Sequence, residues 1–129
     1  MEKDFVPYEI ALELKEIGFD EPCLGWYYLD EGLPVFIPNY QDLRKQHVKA
    51  PLFQQAFRWF REKYKLFSSI NVDCTMEPKF CYSIQQYMGD ETGYEWECIV
   101  FNSSLEYTYE KAELECLRKL IEIAKNKNL

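Results

Sequence analysis

Two glutamates at alternate positions come closest in this sequence to an acid–base site. Glu95 and Glu97 flank Trp96, and on a β-strand they would share one face about 7 Å apart. Paired carboxylates at such a distance serve as general acid and general base in hydrolysis. Acidic residues on the solvated face of a sheet give the same pattern, and this is the competing interpretation.

Other signs of catalytic or metal chemistry are sparse. His47 is the single histidine, and a Cys–His or Ser–His–Asp site would have to use it. It lies between Gln46 and Lys49 without a nucleophile motif, which favours a solvated loop histidine. The five cysteines lack C-x-x-C spacing, and the five glycines form neither a dinucleotide motif nor a P-loop. We therefore predict no catalytic residue, no metal site and no cofactor.

A basic segment is the strongest candidate for a binding surface. Between Leu43 and Lys65 lie seven basic side chains and the single acid Glu62, a net charge of +6 in a chain whose total is −7. The other residues therefore carry −13. Arginine beside an aromatic side chain is common in binding hot spots and in phosphate recognition. The predicted binding residues are Gln54, Arg58, Trp59, Arg61 and Lys65 on a helix, with Arg44 and Lys45 on the loop before it.

The spacing of these residues predicts how they are presented. Gln54, Arg58 and Arg61, followed by Lys65, occur at i, i+4, i+7 and i+11, so they should form one stripe beside the apolar face. Trp59 lies on another flank, where we expect its ring to stay partly exposed. A protein partner or a small anionic ligand fits such a surface. The alternative is that these cations pair with the acids of the same domain.

Hydrophobic periodicity predicts three helices that would position these side chains. The first has its apolar face at Ile10, Leu14 and Ile17, and Gly18 is expected as its C-terminal cap. The second begins near Pro51, and the third follows Thr108 as N-cap. The apolar stripe of the second helix is Phe53, Ala56, Phe57, Phe60 and Tyr64; that of the third is Ala112, Cys116, Leu117, Leu120, Ile121 and Ala124.

Two-residue alternation predicts the strands. They cover residues 23–28, 33–37, 66–75, 80–85 and 94–100, and Pro34 makes the second of them short or an edge strand. Residues 40–50 are polar and basic, which indicates a loop or one irregular helical turn. The predicted order is α-β-β-α-β-β-β-α, an α+β fold with an antiparallel sheet of four to five strands and three helices.

Length and composition set the remaining expectations. A chain of 129 residues fits a single domain, residues 1–129. The sequence has neither a secretory signal nor an apolar run long enough to span a membrane, and an odd number of cysteines favours reduced, buried thiols. We therefore expect a cytoplasmic protein. Its net negative charge disfavours binding to nucleic acid and to anionic membranes.

Three stretches of the sequence carry a resemblance to a family. Residues 5–28 (FVPYEIALELKEIGFDEPCLGWYY), residues 50–64 (APLFQQAFRWFREKY) and residues 109–123 (YEKAELECLRKLIEI) resemble small hypothetical proteins of tailed phages and prophages of Bacteroidetes-type bacteria. QQAFRWFREKY is the most specific block. The resemblance implies a phage-type accessory protein in the bacterial cytoplasm, and it implies no activity, cofactor or site residue.

Three hypotheses about function follow. The first is a non-enzymatic binding protein that uses Arg58, Trp59 and Arg61. The second is a small enzyme that uses Glu95 and Glu97, with or without His47. The third is a homo-oligomer in which the basic helix of one copy pairs with the acidic sheet of another.

Overall fold

A computed structural model of the chain describes residues 4–28, 34–36, 47–73, 78–89 and 95–127. The chain divides into two units, Met1–Ala56 and Phe57–Leu129, and the boundary falls inside the second helix. The predicted single domain stays a prediction. The described elements, in chain order, are α1 (Tyr8–Glu16), β1 (Gly25–Tyr28), β2 (Pro34–Phe36), β3 (His47–Ala50), α2 (Phe53–Tyr64), β4 (Leu66–Asp73), β5 (Lys79–Tyr87), β6 (Trp96–Val100) and α3 (Tyr109–Lys127).

Helix α1 ends in a Schellman cap, as the position of Gly18 predicts. Gly18 has a positive φ of 101°, and its N–H donates to the carbonyl of Lys15 at 3.1 Å. The N–H of Phe19 donates to the carbonyl of Leu14 at 3.0 Å. These two bonds satisfy carbonyls that the end of a helix leaves unpaired. The chain is thereby turned so that Phe19, a buried residue, follows the helix directly.

The first sheet lies in unit Met1–Ala56 and has the strand order β2-β1-β3, with both pairings antiparallel. β2 is a three-residue edge strand that begins at Pro34, as predicted. β3 corrects the prediction of a loop or helical turn over residues 40–50. Its buried Val48 and Ala50 alternate with the half-buried Lys49, a pattern too short to stand out beside the basic residues before it. His47 begins this strand opposite Tyr28, so its backbone is not in a loop.

The second sheet lies in unit Phe57–Leu129 and is the predicted meander, β4-β5-β6, again antiparallel. The predicted single sheet of four to five strands is therefore wrong, because the described strands form two sheets of three. β1 pairs along both edges within its own unit. The α+β class, the three helices and the order of the predicted elements agree with the structure, and β3 is the added strand.

Helix α3 packs on β4 and β5 through the predicted stripe. All six of its predicted apolar residues are buried. Where the helix begins, the rings of Tyr109 and Phe80 meet edge to face, with centroids 6.0 Å apart. Ile84 of β5 is also buried, so this layer of helix on sheet supplies one part of the apolar core of the second unit.

We expect the N-cap of α3 to contribute measurably to stability. The N–H of Lys111 donates to Oγ1 of Thr108 at 3.1 Å, and this bond satisfies one of the unpaired donors of the first turn. Thr108→Ala should lower the free energy of unfolding by about 1 kcal/mol. Thr108→Ser keeps the hydroxyl and should stay near wild type. Urea unfolding of both variants tests this, and equal stabilities would refute a capping role.

Candidate functional site

The basic face of α2, defined here by Arg58 and Arg61, is the predicted surface that the structure leaves accessible. Arg58 is exposed and Arg61 is half-buried, while Ala56 and Phe60 of the same helix are fully buried. Gln54, one turn before Arg58, is also exposed. The helical period thus places Arg58 away from the apolar stripe and the half-buried Arg61 beside it.

Neither arginine is neutralised by an acid in the described part of the chain. The salt bridges found there join Lys49 to Asp20, Lys111 and Arg118 to Glu115, and Lys119 to Glu122. Within the same residues, no carboxylate oxygen lies within 4.0 Å of a nitrogen of Arg58 or Arg61. Internal pairing of the two arginines therefore has no support from the residues that the structure describes.

Trp59 corrects the expectation of a partly exposed ring, because it is only 6% exposed. It follows Ala56 by three residues and so belongs to the apolar stripe. Its ring meets Phe60 and Tyr64 edge to face, with centroids 5.1 and 5.5 Å away. Trp59 therefore packs in the apolar core. A binding partner would contact Arg58 and Arg61 but not the Trp59 ring.

Lys63 is a residue of α2 that sequence reasoning missed. Its Nζ lies 5.0 Å from the centroid of the Trp59 ring and 5.6 Å from that of Tyr64. A cation over an aromatic face is attracted by the ring quadrupole. The i, i+4 spacing of Trp59 and Lys63 was the available signal. This contact engages the ammonium group of Lys63 on its own helix.

Lys65 does not continue the stripe. α2 ends at Tyr64, and Lys65 follows it with a φ of 58°, in the left-handed region. Its carbonyl accepts a hydrogen bond from the N–H of Tyr87 at 3.0 Å, which ties this turn to the end of β5. Lys65 is exposed but outside the helix, so the prediction of one helical stripe through it is wrong. The predicted loop cations, Arg44 and Lys45, lie outside the described residues.

The two glutamates of the acid–base hypothesis lie on an open surface. Glu95, Trp96, Glu97 and Cys98 are all exposed, and Trp96 is exposed by 48%. The two residues that alternate with these glutamates, Trp96 and Cys98, are therefore exposed as well. A catalytic acid and a catalytic base need surroundings that push their two pKa values apart, such as partial burial of one carboxyl group. Four consecutive exposed residues do not provide such surroundings. The side chain of His47 lies outside the described part of the structure.

Exposed aromatic residues form a second feature that the sequence did not reveal. Phe101 and Tyr107, between β6 and α3, are each 77% exposed, and Leu105 and Tyr109 are also exposed. Exposed apolar groups that adjoin one another on a surface often mark protein-interaction sites, and these four residues are close together in sequence. In the sequence, apolar and polar residues alternate just before Thr108. This pattern is compatible with an exposed segment, but it is equally typical of an edge strand.

The cysteines are free thiols with different exposure. Cys81 and Cys116 are buried as predicted, Cys23 is half-buried, Cys98 is exposed and Cys74 lies outside the described residues. Burial raises the pKa of Cys23 to about 11 and that of Cys116 to about 12. Because the thiolate is the reactive form, these two thiols are inert near neutral pH.

The described residues contain neither a cluster of metal ligands nor a helix that could cross a membrane. Over those ranges, no three histidine, cysteine, aspartate or glutamate side chains lie together as a metal-binding group. No described helix combines the length and the apolar composition required to cross a membrane.

Comparison with known proteins does not assign a family to the chain. No family model matches the sequence. Neither the curated proteins nor the solved structures include a match. The resemblance to small phage proteins stays a prediction, and the functional argument rests on the side chains described above.

Proposed function

We propose that the chain is a non-enzymatic binding protein that contacts an acidic protein partner through the basic face of α2. The observation that carries this proposal is that Arg58 and Arg61 reach solvent without an acidic partner among the described residues. Guanidinium groups are well suited to such contacts, because each can bind a carboxylate through two parallel hydrogen bonds.

The shape of the surface favours a protein over a small ligand. Small-molecule sites are concave and enclose most of the ligand, whereas the exposed Arg58 and the half-buried Arg61 lie along the outer surface of one helix. A protein partner can cover such a helix with a broad acidic surface. The phage-type resemblance adds a proposed setting, an accessory protein that acts on another protein in the bacterial cytoplasm.

Reversing the charge of the basic face should abolish partner capture. In a pull-down, the Arg58→Glu, Arg61→Glu variant should bind the partner of the wild-type protein at least about tenfold more weakly, because two hot-spot contacts become repulsive. Binding by the wild type should weaken as salt is raised, since salt screens exposed charges. The measurement is a titration of the captured partner at two salt concentrations.

The matched control is Arg118→Glu, Lys119→Glu, which makes the same change in net charge on α3. Arg118 is exposed and both residues pair with acids of their own helix. This control should retain the partner if the site is α2. If a folded Arg58→Glu, Arg61→Glu protein keeps every partner of the wild type, the basic face is not the binding surface.

Self-association is the second candidate, and the exposed Glu95 and Glu97 favour it. The basic face of one copy would then meet the acidic residues around β6 of another. Light scattering separates the candidates, because an electrostatic oligomer should dissociate as salt is raised. If the protein is a monomer at both low and high salt, self-association is excluded and binding to an acidic protein partner remains the proposed function.

A further inference from the structure

A cavity of about 270 Å³ opens between α1 and β3, within unit Met1–Ala56. Three of its lining residues are apolar and buried, and three are charged. The apolar residues are Ala11, Phe19 and Val48, and the charged residues are Lys15, Asp20 and Lys49. The cavity thus has an apolar floor and a rim with both signs of charge.

Local structure explains why these side chains meet. Ala11 and Lys15 are one helical turn apart on α1. The Schellman cap then turns the chain and brings Phe19 and Asp20 to the same side. From β3, the buried Val48 precedes Lys49. The elements α1 and β3 are in direct contact, so the walls belong to packed structure.

Lys49 and Asp20 hold each other in place. The Nζ of Lys49 donates to the Oδ1 of Asp20 at 2.9 Å and to its backbone carbonyl at 3.1 Å. This hydrogen bond and the charge of Lys49 lower the pKa of Asp20, so its carboxylate is ionised at neutral pH. An ammonium group has three donors, and these two bonds leave one for a ligand.

Lys15 supplies the second cation. It is exposed, and its ammonium group forms no hydrogen bond or ion pair within the described ranges. Among the described lining residues, Lys15, Lys49 and Asp20 give the rim a net charge of +1. The rim can therefore neutralise one negative charge, while Asp20 repels a second.

We propose that this cavity binds a small monocarboxylate with a compact apolar body. The carboxylate would lie between the ammonium groups of Lys15 and Lys49, where charge-assisted hydrogen bonds are strong. The apolar body would cover Ala11, Phe19 and Val48. The volume lies just below the range of about 300–1,000 Å³ that encloses drug-sized ligands, so a nucleotide is too large. Inorganic phosphate would leave the apolar floor uncovered.

This site is independent of the proposed function. None of its described lining residues belongs to α2, and the Arg58→Glu, Arg61→Glu variant leaves all of them unchanged. The pull-down with that variant therefore tests only the basic face of α2. The ligand titration below tests only the cavity, and a negative result there does not affect the proposed function.

The test is an NMR titration of the full chain with three probes: isovalerate, the neutral isovaleramide and inorganic phosphate. Isovalerate should shift the backbone amide signals of Ala11, Lys15, Val48 and Lys49 saturably. We expect a Kd at least about tenfold lower than for the other two probes, because only isovalerate meets both the cations and the apolar floor.

Lys15→Met is the informative variant, because it keeps an apolar side chain of similar length and Lys15 has no described partner to lose. It should weaken isovalerate binding about tenfold or more. Lys127→Gln, an exposed lysine near the end of α3, is the matched control and should bind as the wild type does. Shifts that do not saturate, equal binding of the amide, or unchanged binding by a folded Lys15→Met protein would each overturn the proposal.

Discussion

Replacing Phe60 by alanine is expected to lower the free energy of unfolding by about 3–5 kcal/mol, the usual cost of truncating a buried phenylalanine. Phe60 is 0% exposed. Its ring contacts Trp59, with centroids 5.1 Å apart, and Tyr64, with centroids 5.9 Å apart. The substitution therefore removes apolar contacts and also opens a cavity beside two other rings. This is a large share of the roughly 5–15 kcal/mol that stabilises a typical domain.

Urea unfolding of Phe60→Ala measures this loss, with Trp59 beside the site as a fluorescent reporter. Arg58→Ala is the matched control, since it lies on the exposed side of the same helix. Surface substitutions of this kind usually change stability by less than about 0.5 kcal/mol. If both variants unfolded at the same urea concentration, Phe60 would not be a core residue. The control also shows that the basic face can be altered without loss of the fold.

The helices were predictable because each contains several turns of regular apolar spacing. α3 agrees with the sequence down to its N-cap Thr108 and its six buried residues. Trp59 is an instructive error on α2. The prediction put it on another flank of the helix, whereas its place on the apolar stripe follows from Ala56, three residues earlier. The apolar stripe of a core-facing helix is at least about 100° wide, so it can include two adjacent residues such as Trp59 and Phe60.

The division into two sheets could not be predicted from alternation. A two-residue period indicates that a strand exists and which of its residues share a face, but it does not say which strand pairs with which. The pairing of β1 with both β2 and β3 depends on backbone groups that every residue has. β3 itself contributes only four residues, too few for a period to be recognised beside the charged residues before it.

The candidate sites divide in the same way. Arg58 and Arg61 were found from sequence because charge and helical spacing are both visible there. The cavity of unit Met1–Ala56 was not found, since Lys15 and Lys49 are far apart in sequence and meet only through the contact of α1 with β3. A site formed by one helix or strand can be predicted from the sequence. A site formed by several elements cannot, because sequence patterns do not determine how those elements pair and pack.

Alkaline pH is expected to destabilise the protein through Cys116. This residue lies on the buried face of α3 and is 0% exposed. Burial raises the pKa of its thiol from 9.0 to about 12, although a hydrogen bond with Ser68 acts in the opposite direction. Above pH 9 the unfolded chain loses this proton while the folded chain keeps it. The unfolded state then binds fewer protons, so stability falls as pH rises from 9 to 12. At about 1.4 kcal/mol for each pH unit, the loss approaches 4 kcal/mol when the folded thiol also titrates.

Cys116→Ala isolates this effect, because alanine does not titrate. The variant should be less stable than wild type at pH 8, since it loses the packing of the sulfur. Its deficit should then shrink by about 2–3 kcal/mol as the pH is raised to 11, two units above the pKa of the unfolded thiol. Burial also raises the pKa values of Tyr82 and Tyr109, but both tyrosines are present in both proteins and cancel in the comparison. Urea unfolding at both pH values gives the result directly. A stability difference that stays constant from pH 8 to pH 11 would mean that Cys116 ionises in the folded protein as readily as in the unfolded chain, and that water reaches the interface between α3 and its sheet.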